Sequence, residues 1–262
     1  MAHGHGTDSA GQPWEGRSFR PDAHAADDGS APPAFLAAMA AFRAGETGLR
    51  EVVAVVHGCR FLIPLVAVAG EEGLTEEGVR VDKTQELSII TVAGPDGRAI
   101  LPVFSSVAAM TRWRPDARPV PADARRVALA TASEQTDRVV IDPRSDETEV
   151  VLPRPAVWAI ARGVEWIPAL DDAEVLEAIA LPAEEHPEII AVAPIAGDPE
   201  ARGSGAEVIV RLAVAGGTSP ERMREMFAAI GERWSHDATV AERVDSLSIQ
   251  PLVLPVEGAA TA

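Results

Sequence analysis

Residues 86–104, ELSIITVAGPDGRAILPVF, give the clearest indication of the fold. Two apolar runs, 86–92 and 98–104, flank the segment Gly-Pro-Asp-Gly at 94–97, whose glycines and proline are typical of a tight turn. Apolar runs on both sides of a short turn predict a β-hairpin. We therefore expect antiparallel strands in this part of the chain.

The apolar stretch 52–70, before this hairpin, has the length of a membrane span but not its composition. It contains Arg60 and Pro64, and an arginine near the centre of a span costs about 2.5–3.5 kcal/mol on insertion scales. Its many valines and isoleucines favour strands. The sequence predicts two buried strands here, 51–57 and 60–69, joined around His57 and Gly58, and no membrane insertion.

The other elements before residue 170 follow from local signals. Helices are predicted where a proline or serine precedes apolar residues at helical spacing, and strands where a β-branched run is short. These signals predict helices at 33–45, 105–113, 121–132 and 155–163, and strands at 139–143 and 149–152.

A second unit begins near residue 170. Asp171 and Glu174 have the spacing of a capping box and open a helix to about residue 181. Strands are predicted at 189–195, 207–214 and 246–256, which gives the order α-β-β-α-β and a small antiparallel sheet covered on one face. The second helix, which starts at 218–221, carries one apolar stripe at helical spacing: Met223, Met226, Phe227, Ile230 and Trp234.

The predicted fold class is α+β, with two mixed α/β-layer domains built on largely antiparallel sheets. The expected division is a disordered tail at 1–31, a domain at 32–169, a smaller domain at 170–257 and a short tail at 258–262. The chain has 262 residues, of which 47% are apolar, so it can bury a sizeable core.

Charge and cysteine content restrict the function classes. The net charge of −17 argues against a nucleic-acid partner. Residues 170–262 carry seventeen acids and six arginines, an excess that favours solubility and leaves a basic partner as an alternative. The single cysteine, Cys59, excludes a disulfide framework within the chain and favours the cytoplasm.

The usual catalytic motifs are not found. The sequence has no phosphate-binding loop, no G-x-S-x-G and no H-E-x-x-H. His57 and Cys59 flank one glycine, which favours a turn histidine and a buried thiol over a catalytic dyad. We predict no catalytic residues, no metal site and no cofactor.

Several segments resemble one family in their order along the chain. They are VDKTQELSIITV from residue 81, GPDGR, LPVFSS at 101–106, WRPDARPVP from 113, VVIDP from 139, RPAVWAIA from 154 and WIP from 166. Together they resemble the N-terminal domain of the SseB family in its actinobacterial form, over about residues 47–170, and LPVFSS is the clearest mark. Residues 171–257 are similar in layout to the family's C-terminal α+β domain.

The resemblance implies little chemistry. The family is named for a serine-sensitivity phenotype, and no catalytic residues are established for it, so no active site is carried over. Binding groups often lie at strand ends in α+β folds. The candidate binding residues on that ground are Asp82, Lys83, Phe104, Ser105 and Ser106.

Three hypotheses of function remain. The leading one is a non-enzymatic cytoplasmic binding or regulatory protein with an unknown protein or small-molecule partner. The second is an enzyme or accessory factor in amino-acid (serine) or sulfur metabolism, with a site at Lys83, the only lysine, and the Ser105–Ser106 hydroxyls. The third is a homo-oligomer joined through Met223, Phe227 and Trp234.

Overall fold

The computed structural model describes residues 27–68, 73–74, 80–81 and 86–255. The described elements are, in chain order, α1 (Pro33–Arg43), α2 (Leu49–Val56), β1 (Arg60–Val68), β2 (Gly73–Leu74), β3 (Arg80–Val81), β4 (Glu86–Ile89), β5 (Val92–Ala93), β6 (Ala99–Val103), α3 (Val107–Trp113), β7 (Arg118–Asp123), α4 (Ala124–Ser133), β8 (Arg138–Ile141), β9 (Val150–Leu152), α5 (Arg154–Arg162), α6 (Ala173–Glu184), β10 (Ile189–Ala196), β11 (Val208–Val214), α7 (Pro220–His236), α8 (Ala238–Arg243) and β12 (Leu247–Val253). The predicted α+β class is confirmed.

Two main sheets form the first part of the chain. One has the order β4-β1-β7 and is antiparallel, and the other has the order β5-β6-β8-β9. Within the second sheet β6 and β8 are parallel, with Val103 opposite Ile141. Because parallel strands end at the same edge, the residues that follow β6 and β8 are brought together.

The predicted strand at 51–57 is wrong, because this segment belongs to α2. Val52, Val53 and Val56 are buried, and their spacing places them on one face of a helix. They join the same core cluster as Phe35 and Met39 of α1. The burial of this face outweighs the strand preference of valine.

The predicted hairpin is correct only next to its turn. Gly94 N–H donates to the Arg98 carbonyl at 2.8 Å, and β5 pairs with β6 through two residues. Residues 86–89 pair instead with β1, where Leu65 lies opposite Ile89. The nine-residue β1 has β7 on one side, and β4 pairs with its other side.

The predicted helix at 121–132 begins later than expected. Residues 118–123 form β7, an edge strand in which Pro119 and Pro121 are tolerated because one side of an edge strand needs no partner. Asp123 ends β7 and caps α4, since its Oδ1 accepts from Arg126 N–H at 2.8 Å.

The second unit has the predicted order α-β-β-α-β with α8 added before the last strand. Its sheet is mixed, because β11 pairs antiparallel with β10 and parallel with β12. The capping residue of α6 is Asp172 and not Asp171, since Asp172 Oδ1 accepts from Glu174 N–H at 3.0 Å. Asp171 instead ends a short 3₁₀ turn.

The apolar stripe of α7 lies in the core of the second unit. Met226, Ile230 and Trp234 are buried, and Met223 and Phe227 pack against the same cluster. The Trp234 indole N–H donates to the Ile179 carbonyl at 3.2 Å. The homo-oligomer hypothesis is therefore wrong in its choice of surface, because these side chains cover the sheet of their own chain.

The disorder expected at 1–31 is wrong for residues 27–31, and the rest of that prediction, residues 1–26, lies outside the described residues. Arg60 in β1 holds this segment through an ion pair with Asp27 and a 2.9 Å hydrogen bond to the Ser30 carbonyl. The Gly29 carbonyl accepts from Val107 N–H at 2.9 Å.

In the described part of the chain, no helix is long and apolar enough to span a membrane.

Candidate functional site

A cavity of about 450 Å³ opens at the carboxyl ends of β6 and β8. Its wall is formed by one side of α3, by the loop at 142–148 and by Ala31 and Leu36 near the start of α1. A volume of this size suits a small metabolite. Ligands in open sheets with parallel strands commonly bind at this edge, because loops from neighbouring strands converge there.

The floor of the cavity is a buried pair, Ser105 and Asp142. Ser105 N–H donates to Asp142 Oδ1 at 2.7 Å, and Ser105 Oγ–H donates to Asp142 Oδ2 at 2.5 Å. Both residues are almost fully buried. This double contact joins the end of β6 to the end of β8.

Burial sets the ionisation of this carboxyl group. Removal from water raises the pKa of Asp142, while the hydrogen bonds from Ser105 act in the opposite direction. The Arg112 guanidinium also favours the charged form. Burial is the largest of these causes, so the pKa of Asp142 lies above its ordinary value.

The loop after β8 has an unusual backbone. Asp142 has φ +49° and Arg144 has φ +70°, values that side-chain-bearing residues adopt at a cost. Hydrogen bonds hold the loop in this shape: Ser145 N–H donates to the Asp142 carbonyl at 3.1 Å, and Thr148 Oγ1–H donates to Ser145 Oγ at 2.8 Å. The loop therefore forms a wall of the cavity whose conformation is fixed by its own hydrogen bonds.

Three of the predicted binding residues lie together in the structure, but they differ in access. Ser105 and Ser106 line the cavity. Ser106 caps α3, since its Oγ accepts from Ala109 N–H at 3.1 Å and leaves its own O–H free to donate. Phe104 is fully buried behind them and packs on Trp113, with ring centroids 5.1 Å apart. Asp82 and Lys83 lie outside the described residues.

Sequence reasoning missed Asp142, Arg112 and Arg144. The signal for Asp142 was a polar residue directly after a buried strand, but its partner Ser105 is 37 residues away. Only the pairing of β6 with β8 brings the two together. Arg112 on α3 and Arg144 in the loop both line the cavity and are exposed.

Cys59 is the buried thiol that the sequence predicts. Its Sγ–H donates to the Val55 carbonyl at 3.2 Å, and burial raises its pKa. Among the described residues, no group of three or more His, Cys, Asp or Glu side chains is arranged to hold a metal ion.

Residues 35–159 match the family model of the SseB protein N-terminal domain. The SseB match covers β6, β8 and the loop between β8 and β9, and therefore the whole floor of the cavity. It begins earlier and ends earlier than the expected 47–170, so that it takes in most of α1. No curated protein and no solved structure is significantly similar to the chain.

Proposed function

We propose that this protein is a non-enzymatic cytoplasmic binding or regulatory protein, and that its ligand site is the cavity at the ends of β6 and β8. The observation that carries the proposal is the buried Ser105–Asp142 pair, which forms the floor of a metabolite-sized cavity within the SseB match. The single buried thiol supports the compartment.

The roles of the floor residues favour binding over catalysis. The Ser105 hydroxyl donates to a carboxylate and is buried, so it joins two strand ends and is not presented as a nucleophile. The Asp142 carboxylate receives both Ser105 donors. A floor fixed by such contacts is preorganised, which lowers the entropy lost when a ligand binds.

The wider organisation is part of the same proposal. We take residues 32–169 as the ligand-binding domain and 170–257 as a smaller second domain similar to the family's C-terminal domain in its actinobacterial form. The two largest hydrophobic clusters support this division, since one contains most buried residues up to Trp166 together with Ala201, and the other contains the remaining buried hydrophobic residues from Ala169 onward.

Filling the cavity tests the proposal. Ala109 lines the cavity on α3, and Ala108 lies on the same helix, exposed and outside the cavity wall. The full-length chain, A109W and the matched control A108W would be dialysed against a bacterial metabolite extract. We expect the wild type and A108W to retain at least one metabolite, chemically unchanged, that A109W does not. Equal retention by all three, or conversion of a metabolite, would overturn the proposal.

A further inference from the structure

The charged residues on the cavity wall carry an inference about the ligand, which rests on the proposed function. Arg112 contributes from α3 and Arg144 from the loop after β8. Neither guanidinium has an ion-pair or hydrogen-bond partner among the described residues. Two cationic groups from different elements therefore border the same 450 Å³ space.

The lack of ion-pair partners for Arg112 and Arg144 contrasts with the excess of acidic residues in the chain. The chain has 40 acidic residues for 23 lysines and arginines, so acidic partners are abundant. In the described part of the chain eleven arginines do form ion pairs. Among the described residues Arg118 and Arg126 also lack ion pairs, but Arg112 and Arg144 are the two that border one cavity, where the exposed acids Asp146 and Glu147 lie without pairing with either of them.

We infer that the cavity binds a small molecule through an oxyanion, a carboxylate or a phosphate, and that Arg112 and Arg144 are the groups that bind it. Guanidinium groups offer several donors in a planar array that matches both oxyanions. The Ser106 O–H is available as a further donor. Trp113, also on the wall, offers apolar surface to the rest of the ligand.

The carboxylate on the floor does not oppose this assignment. Asp142 is buried, accepts two hydrogen bonds from Ser105 and is near enough to Arg112 for that charge to favour its ionised form, so groups of the protein already offset part of its negative charge. Asp146 and Glu147 are the groups that would favour a cation instead. A cationic ligand is therefore the rival that the experiment has to separate.

Binding of matched probes to the full-length protein tests the inference. Isothermal titration calorimetry would use succinate and glycerol 3-phosphate, with their uncharged counterparts succinamide and glycerol, inorganic phosphate, and the dication putrescine. We expect binding of succinate, of the phosphates or of both, and none of succinamide, glycerol or putrescine. Preference for succinate identifies a carboxylate ligand, and preference for the phosphates identifies a phosphorylated one.

Substitutions assign the binding to the two arginines. We expect R112Q and R144Q each to weaken the anionic probe at least tenfold, while R126Q, at an exposed arginine of α4 outside the cavity, leaves it unchanged. Binding that survives R112Q and R144Q, or a preference for putrescine or an uncharged probe, would overturn the oxyanion assignment. If no probe binds, the assignment also fails, but retention of a metabolite by the wild type and not by A109W would leave the proposed function standing.

Discussion

Arg138 in β8 forms a buried ion pair with Asp245, which lies two residues before β12. The pair therefore joins the sheet β5-β6-β8-β9 to the sheet β10-β11-β12. The two side chains are only 6% and 3% exposed. Asp245 Oδ1 accepts from Arg138 Nε–H at 2.9 Å and from Arg154 N–H at 3.2 Å, and Arg98 approaches Oδ2 at 3.1 Å. One carboxylate thus gathers donors from three segments of the SseB-matched region.

Removal of this carboxylate should destabilise the protein strongly. D245N removes the carboxylate bound to Arg138 Nε and Nη2 and leaves this buried guanidinium only the partly exposed Asp96, whose Oδ2 accepts from Nη1 at 2.8 Å. Breaking a buried pair by removing one partner typically costs about 3–5 kcal/mol. We expect a loss of that order in the free energy of unfolding, measured by urea denaturation. The control is E242Q, in the exposed pair with Arg162, which should cost less than about 1 kcal/mol. Equal losses in the two variants would contradict the role of Asp245.

Glu207, which faces Asp245, predicts a pH dependence of stability. Burial, together with the negative charge of Asp245, raises the pKa of Glu207 to about 7, although Asp245 N–H donates to Glu207 Oε2 and Arg154 lies near. The folded protein therefore holds this proton between about pH 4.5 and 7, where the unfolded chain has lost it. Stability from this group is present at low pH and falls as the pH rises through that window.

The measurement is the free energy of unfolding at pH 5 and at pH 8 for the wild type and E207Q. A shift from 4.5 to about 7 corresponds to about 3 kcal/mol. We expect E207Q, which stays neutral, to be more stable than the wild type at pH 8 and close to it at pH 5. The exposed E200Q serves as control. The idea fails if the difference between E207Q and the wild type does not change with pH.

Local sequence signals predicted elements well and partners poorly. The turn at 94–97 forms as expected, because glycine, proline and aspartate act within a few residues. The turn does not determine the partner of residues 86–89, which pair with β1, about twenty residues earlier in the chain. The valines at 52, 53 and 56 carried both a strand preference and a helical spacing, and packing against α1 decided between them.

The candidate site shows the same division. Ser105 and Ser106 could be selected because they follow an apolar strand, and both line the cavity. Asp142 could not be joined to Ser105 from the sequence, since their contact depends on the parallel pairing of β6 with β8. Phe104 has the same local signal as the serines, but the alternation of side chains along the chain directs it into the core.

The Ser105–Asp142 contact predicts a specific pattern of substitutions at position 142. D142A leaves the buried Ser105 N–H and O–H without an acceptor, at about 1–3 kcal/mol for each donor, and keeps a side chain at φ +49°. D142G loses the same hydrogen bonds but tolerates the backbone angle. We expect both variants to unfold at lower urea concentration, with D142G the more stable by about 1 kcal/mol. If D142A is as stable as the wild type, the pair does not hold the two strand ends together.

The apolar stripe on α7 can be tested as part of the core of the second unit or as a contact between two copies of the chain. Ile230 is fully buried in the cluster that covers the sheet β10-β11-β12, so I230A should cost about 2–5 kcal/mol through lost contacts and a residual cavity. L129A, at an exposed leucine of α4, should cost less than about 1 kcal/mol. Urea denaturation measures both, and light scattering should give the same mass for I230A and the wild type while both are folded. A lower mass for I230A with unchanged stability would instead assign the stripe to contacts between copies, because a side chain buried only in a complex contributes little to the isolated fold.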